Sequence, residues 1–228
     1  IKRTKASVKT LFIVYNNLNV KKGVFMKNIF SYIKASYKKA VIASSISFFS
    51  IMSMSVQANI YNEVLTFDYP GYWVLVDSKQ NRLKLYNEKN VVKEFHASIG
   101  VNGSSFTRIM GDKRTPTGEF TINLFNPQSQ FKKFFRIDYP RPDHVEKALK
   151  DKIITKKEYD YYWNYKRNRG YPPQVTKLGG QIGIHGVGRK DSWLHKKVNW
   201  TDGCVAITNQ EIDDLSKYIG IGTKVVIL

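Results

Sequence analysis

Three short apolar segments, 73–77, 82–86 and 91–99, are separated only by the polar stretches Ser78-Lys79-Gln80-Asn81 and Asn87-Glu88-Lys89-Asn90. Runs this short, bounded by turn residues, read as strands of a β-meander and not as helices. Three further strands are expected at 119–124, at 181–184 (ending on His185-Gly186) and at 224–228, with a long loop over 100–118. The chain has 228 residues and is 42% apolar, enough for a sizeable core with no disulfide framework. None can form within the chain, because Cys204 is its only cysteine.

Two helix starts are written into the sequence. Thr155-Lys156-Lys157-Glu158 and Thr208-Asn209-Gln210-Glu211 are capping boxes, in which the threonine caps and the glutamate reaches back. The first opens a helix through Tyr159, Tyr162, Trp163 and Lys166, stopped near Gly170 and Pro172. The second opens one over Ile212, Leu215 and Ile219, stopped by Gly220 and Gly222. A weaker helical pattern covers 145–153. The expected fold is mostly β (α+β): one domain with a helical insertion over about 126–178.

The net charge of +19 suggests a nucleic-acid binder until its distribution is read. Residues 1–58 hold ten basic side chains and no acid, which leaves 27 basic and 18 acidic residues (+9) for 59–228. Within the first segment Met26 precedes four lysines. An uncharged Ser-rich apolar run, 40–56, then ends in Val56-Gln57-Ala58. A basic region, an apolar region and a small-x-small site make a secretory signal peptide, with cleavage expected after Ala58. Met26 is then the start, and 1–25 is upstream sequence. The alternative is an uncleaved inner-membrane anchor, for which 17 residues fall short of the roughly 20 that a spanning helix needs. Export places the chain in the periplasm or cell envelope and argues against nucleic acid as partner.

A lone cysteine in an exported chain is either a small buried hydrophobe or a nucleophile. Gly203 before it permits a tight turn and close approach of a substrate. The helix opening at Thr208 sets backbone N–H groups and a positive dipole end just downstream. His185, closing a strand 19 positions upstream, supplies a base. Cys204, His185 and His195 are also a conceivable three-ligand zinc set, but the Gly-Cys and capping arrangement suits acyl transfer better, and neither metal nor cofactor is expected.

These residues resemble the signature of the YkuD-type L,D-transpeptidase family, His-Gly, a spacer, then Ser/Thr-x-Gly-Cys. Here it reads Ile184-His185-Gly186 followed by Trp200-Thr201-Asp202-Gly203-Cys204-Val205-Ala206-Ile207-Thr208-Asn209, in the form of a subgroup with Trp-Thr-Asp-Gly-Cys. The stretch 76–86 is similar to the family's opening hairpin, and Thr115-Pro116-Thr117-Gly118 to its Thr-Pro-x-Gly segment. The resemblance implies a YkuD-like β-sandwich catalytic domain over 59–228. It implies Cys204 as nucleophile, His185 as general base, and Gly186 as the carbonyl that orients the imidazole. Backbone N–H groups around Gly203 and Cys204 would form the oxyanion hole, with Thr201, Asp202 and Trp200 at the substrate. The substrate class implied is the peptidoglycan stem peptide; an envelope protein is a further possible acceptor or leaving group.

Two positions depart from the pattern: Asp202 stands where many members have His, and Ala206 where many have Asn or Arg. A carboxylate at 202 raises a neighbouring thiol pKa unless it points away or pairs with a cation, for which Lys190, Lys196 and Lys197 are candidates. His195 reads as a solvated loop residue, His96 and His144 as structural. Trp193 and Trp200 either wall the cleft or pack in the core. The insertion is either a helix packed on the sheet or a lid presenting Arg136, Arg141, Lys166, Arg167 or Arg169 to anionic peptides. Three function classes follow: an L,D-transpeptidase, a hydrolase of the same fold (L,D-carboxypeptidase or amidase), and a non-catalytic wall-binding module.

Overall fold

The computed structural model describes residues 67, 69–189 and 192–228. The expected upstream segment and signal peptide, 1–58, lie outside the described residues, as does Lys190. Among the described residues no helix is long and apolar enough to cross a membrane.

The meander forms as expected. β1 (Tyr72–Asp77), β2 (Arg82–Asn87) and β3 (Asn90–His96) pair antiparallel in sequence order. In β2, Leu83 and Leu85 are buried while Lys84 faces outward beside Glu94, directly across in β3, the period-2 alternation of a sheet with one wet face. β1 is buried from Trp73 onward; its second face is covered by Tyr86, whose ring stacks on Trp73 at 4.3 Å.

The loop over 100–118 contains one short parallel pair, β4 (Ser104–Ser105) with β5 (Thr115–Pro116). β6 (Gly118–Ser129) is twice the expected length and turns at its tip into β7 (Lys132–Ile137). This corrects the sequence expectation: the first part of the supposed helical insertion, through Ile137, is a β-hairpin arm. Alternation there is blurred because the arm runs past the core, and Phe125–Gln128 are solvent-exposed.

Only the middle of the insertion is helical, α1 (Pro142–Lys150) and α2 (Lys156–Arg169). The α2 capping box is formed, and the helix stops at Gly170 with φ 75°. β8 (Gly183–Gly186), α3 (Ser192–His195), β9 (Val205–Ile207), α4 (Asn209–Leu215) and β10 (Lys224–Ile227) complete the chain. The α4 capping box is formed, but the helix ends at Leu215 and not at the expected Gly220: the chain passes into tight turns, with Lys217 N–H given to the Asp214 carbonyl and Tyr218 N–H to that of Leu215.

The strands lie in one sheet, ordered β3-β2-β1-β10-β6-β7-β8-β9. It curls back on itself, since Ser98 just after β3 bridges Ala206 in β9 at the far end. The space between its two halves is the core, filled by Val74, Leu83, Phe120, Ile122, Phe135, Ile184, Val205 and Val225, with Ile212 and Leu215 from α4. The result is the mostly β sandwich expected. Val145, Ala148, Ile154 and Tyr162 from the insertion belong to this same core, so α1 and α2 are packed elements and not a detachable cover.

Candidate active site

The strand register brings the chemistry together. β8 and β9 pair in parallel, Ile184 opposite Val205 and His185 opposite Ala206. Extended by one residue, this register sets Cys204 opposite Gly183. Side chains two apart on a strand share a face, so His185 and Cys204 emerge on the same side of adjacent strands. The imidazole is almost fully buried (2% exposed), and its Nδ1 meets the Gly186 carbonyl at 2.7 Å. A ring nitrogen facing a carbonyl carries the proton, so Nε2 is the basic nitrogen of the neutral ring. Phe131 stacks on the ring at 4.4 Å and Trp200 meets it edge-on at 6.0 Å.

Glycines make this edge possible by close approach. At Gly183 a Cβ would overlap the Phe135 carbonyl; at Gly186 it would come within 2.6 Å of Asn209 Oδ1 and 2.7 Å of the Phe131 carbonyl. Asn209 in turn holds the outgoing loop, accepting from Gly188 N–H at 2.9 Å and donating to its carbonyl at 2.7 Å. The β6–β7 arm is therefore one wall of the site. Its tip residue Phe131, which the sequence reading passed over, sits on the imidazole.

Cys204 follows a tight turn. Thr201 Oγ1 accepts from Gly203 N–H at 3.2 Å and donates to the Cys204 carbonyl at 2.7 Å, so the Thr201 hydroxyl builds the turn. Gly203 has φ 128°, where side chains are strained. The space over its Cα is taken by the Arg108 guanidinium and the Arg114 carbonyl. The expectation that this glycine clears room for a substrate is thus corrected: it clears room for Arg108. The Cys204 thiol points at the Gln181 carbonyl, 3.5 Å away. Gln181 itself holds φ 54°, rare for a residue with a side chain. Burial pushes the thiol up to about 11; a hydrogen bond from the Gly183 backbone and the Arg108 charge oppose that rise, and Asp202 adds slightly to it. Cys204 keeps some solvent exposure, and water reaching the sulfur also opposes it.

Asp202 points away from the site, 86% exposed, and pairs with Lys113 at 3.7 Å. Its cation comes from the 100–118 loop, not from Lys196 or Lys197. His195 is a second correction: it is buried (1% exposed), with Nδ1 3.0 Å from Ser98 Oγ and within 3.4 Å of Trp200 Nε1. A polar loop flanked by lysines signals solvation, but bridging of Ser98 to β9 pulls this histidine inside. His144 is buried in α1 against Phe106, and His96 bonds Arg82 across the β2–β3 pair at 3.1 Å. Trp193 is 65% exposed under Lys197, so of the two tryptophans only Trp200 stands at the imidazole.

Of the basic residues expected on a lid, Arg136 alone adjoins the site. It pairs with Gly183 in register, donates to Asn123 at 2.9 Å and lies over Tyr171. Arg141 is held by Asp138 at 2.9 Å and Lys166 lies over Trp163. Arg167 and Arg169 are exposed on α2.

Comparison with known proteins bears on this geometry. No curated protein matches the chain. Solved structures do match, at low identity. The helical cell shape determining protein Pgp2 from Campylobacter jejuni is 20% identical, with TM-score 0.47 over 71% of this chain and 49% of that one. Bd1075 of Bdellovibrio bacteriovorus is 20% identical, with TM-score 0.44 over 70% and 48%. An L,D-transpeptidase from Xylanimonas cellulosilytica is 18% identical, with TM-score 0.39 over 70% and 61%. The chain thus spans about half the length of the first two. The sequence profile of the L,D-transpeptidase catalytic domain matches residues 71–227, the span from β1 to the end of β10. By that match over most of its length the chain belongs to the YkuD family of L,D-transpeptidase catalytic domains.

Proposed function

We propose that the chain is a peptidoglycan L,D-transpeptidase in which Cys204 is the nucleophile and His185 the general base. The observation that carries this reading is the parallel β8–β9 register, which sets the two side chains on one face while the Gly186 carbonyl fixes the imidazole tautomer. His185 Nε2 takes the Sγ proton as sulfur bonds to the carbonyl carbon on the L-centre of a stem tetrapeptide. Desolvation raises the thiol pKa, so a base that takes its proton is part of the proposed step. The tetrahedral oxyanion is held by the backbone at the 203–204 turn; because Gly203 N–H is already given to Thr201, the Cys204 amide is the donor we assign. Collapse breaks the C–N bond, and the imidazolium returns its proton to the departing D-alanine amine. In the second half-reaction an acceptor amine gives a proton to His185 and attacks the thioester, restoring the thiol.

The acceptor is an amine of a second stem peptide; an envelope protein amine fits the same chemistry. Stem peptides carry several carboxylates, and a basic surface favours their encounter. We place this reaction in the cell envelope, reached by the leader ending at Ala58.

The test is mass spectrometry of disaccharide-tetrapeptide incubated with the purified chain and with Cys204→Ala. Cysteine-dependent loss of D-alanine with cross-linked dimers is expected. Loss without dimers would identify a carboxypeptidase of the same site. No change in either sample would overturn both readings, in favour of an amidase acting on a protein-linked stem or a wall-binding module.

A further inference from the structure

Arg108 belongs to no motif that drew attention to the chain, yet it is the most deeply buried cation at the site. It is 4% exposed, and its Nε and Nη1 have no hydrogen-bond partner among the described residues. Nη2 donates to the Asp202 carbonyl at 3.4 Å, and the guanidinium lies over the Tyr139 ring at 5.9 Å. Asp112 forms an ion pair with Nε at 3.6 Å, too long for a hydrogen bond. Asp112 is also committed elsewhere, accepting from the backbone N–H groups of Ile109 and Arg114. Buried guanidinium donors are ordinarily satisfied, because leaving them unpaired in a low dielectric is costly. Here two lack a hydrogen bond: Nε lies toward Asp112, and Nη1 lies against Gly203 in the turn that leads to Cys204. The chain accommodates this by having no side chain at residue 203, the place Nη1 occupies.

We propose that Arg108 is a positioning residue for the reaction: it braces the Asp202-Gly203-Cys204 turn from behind and sets a fixed, incompletely balanced positive charge beside Cys204, so that negative charge on the sulfur and then on the oxyanion is stabilised. This rests on Cys204 as the nucleophile. The charge is built in before substrate arrives, which is what lets it act without reorganisation. It is also shielded from water by burial, so it is stronger per charge than a surface lysine. The other groups facing Cys204 do not duplicate it. His185 gives its Nδ1 side to the Gly186 carbonyl. Asp202 is turned outward to Lys113, and Arg136 in β7 is engaged by Asn123 and Tyr171. Among the described residues at this turn, Arg108 is the cation without a full complement of partners.

The test follows the rate of Cys204 alkylation by iodoacetamide against pH, in the full-length chain, read by intact mass. Arg108→Gln is expected to move the midpoint up by about one pH unit, equivalent to roughly tenfold slower alkylation at a fixed pH below it. Arg108→Lys keeps the charge and is expected to recover most of that shift. Asp112→Asn removes the balancing carboxylate but keeps an oxygen for the loop, and is expected to move the midpoint down. An unchanged midpoint in folded Arg108→Gln overturns the proposal. Should that variant fail to fold by circular dichroism, Asp112→Asn decides alone, and an unchanged or raised midpoint overturns it. The alkylation readout needs no turnover. A wild-type chain that alkylates with the expected profile but releases no D-alanine would sink the proposed reaction and leave the role of Arg108 standing.

Discussion

The β8–β9 edge and the α1–α2 pair lie close in sequence and are built on opposite plans. At the edge there is no free space: Gly183, Gly186 and Gly203 each lie where a Cβ would meet a backbone carbonyl or a buried side chain. On α2, a 14-residue helix, Tyr162 is the one fully buried residue, Tyr159 and Trp163 pack against the core at its margin, and the rest of the helix carries its cap and exposed pairs such as Lys156 with Asp160. The first region is specified by shape and tolerates almost nothing. The second is specified by local signals and tolerates most changes. Acyl transfer needs atoms held to within a fraction of an ångström, and the reaction we propose would take place where the packing is least forgiving.

This contrast can be broken or sharpened by substitution. The largest effect is expected at Cys204: Cys204→Ala should lower acyl transfer by roughly a thousandfold or more while leaving the melting temperature nearly unchanged, measured by D-alanine release and calorimetry. Gly183→Ala should act on stability instead. Its Cβ overlaps the Phe135 carbonyl, and overpacking of this kind should cost about 3 kcal/mol, or about 10 °C in Tm. Phe131→Ala removes the ring stacked on His185 without touching the reacting atoms; kcat should fall about tenfold with KM little changed. On the helix side, Thr155→Ala removes the α2 cap and should cost about 1 kcal/mol, or about 3 °C, with no loss of turnover. A loss of turnover there would mean that α2 contributes to the site after all.

The smallest effect is a pH slope. Burial holds His195 and His96 below the ordinary histidine range; the neighbouring His96 further lowers His195, as Arg82 does His96. The unfolded chain therefore begins to take up protons near pH 6.5, whereas the folded chain takes them up only at lower pH. Stability is complete above about pH 6.5 and declines as the pH falls toward 5. His195→Gln should flatten part of this decline in Tm measured from pH 7 to 5. An unchanged slope would show that His195 is not its source.

Several parts of this molecule were readable from the chain alone, for a common reason. The meander, both capping boxes and the Gly170 stop are local: each depends on residues within a few positions of one another, and backbone geometry leaves them little choice. The segments that carry His185 and Cys204 were legible too, because His-Gly and Thr-Asp-Gly-Cys are short ordered motifs, and they lie at adjacent strands. Where the reading failed, long-range packing had decided. The arm at 126–137 carries an ambiguous pattern, and it becomes β by pairing of β6 with β7 and of β7 with β8. His195 looks solvated until Ser98 and Trp200 close over it. Lys113 and Arg108 come to Asp202 and Gly203 from some ninety positions upstream, a distance over which no spacing rule applies.

What the sequence by itself determined is the class of fold, the starts of α2 and α4, and the two short motifs that carry His185 and Cys204, since local sterics and caps act within a few residues. What only the tertiary structure decided is the environment of those two residues: which carbonyl the thiol faces, which cation balances Asp202, which ring lies on the imidazole, and that a buried arginine stands behind the turn at Gly203. Those are properties of segments far apart in the chain. They come together because the sheet curls until its two ends meet at Ser98 and Ala206.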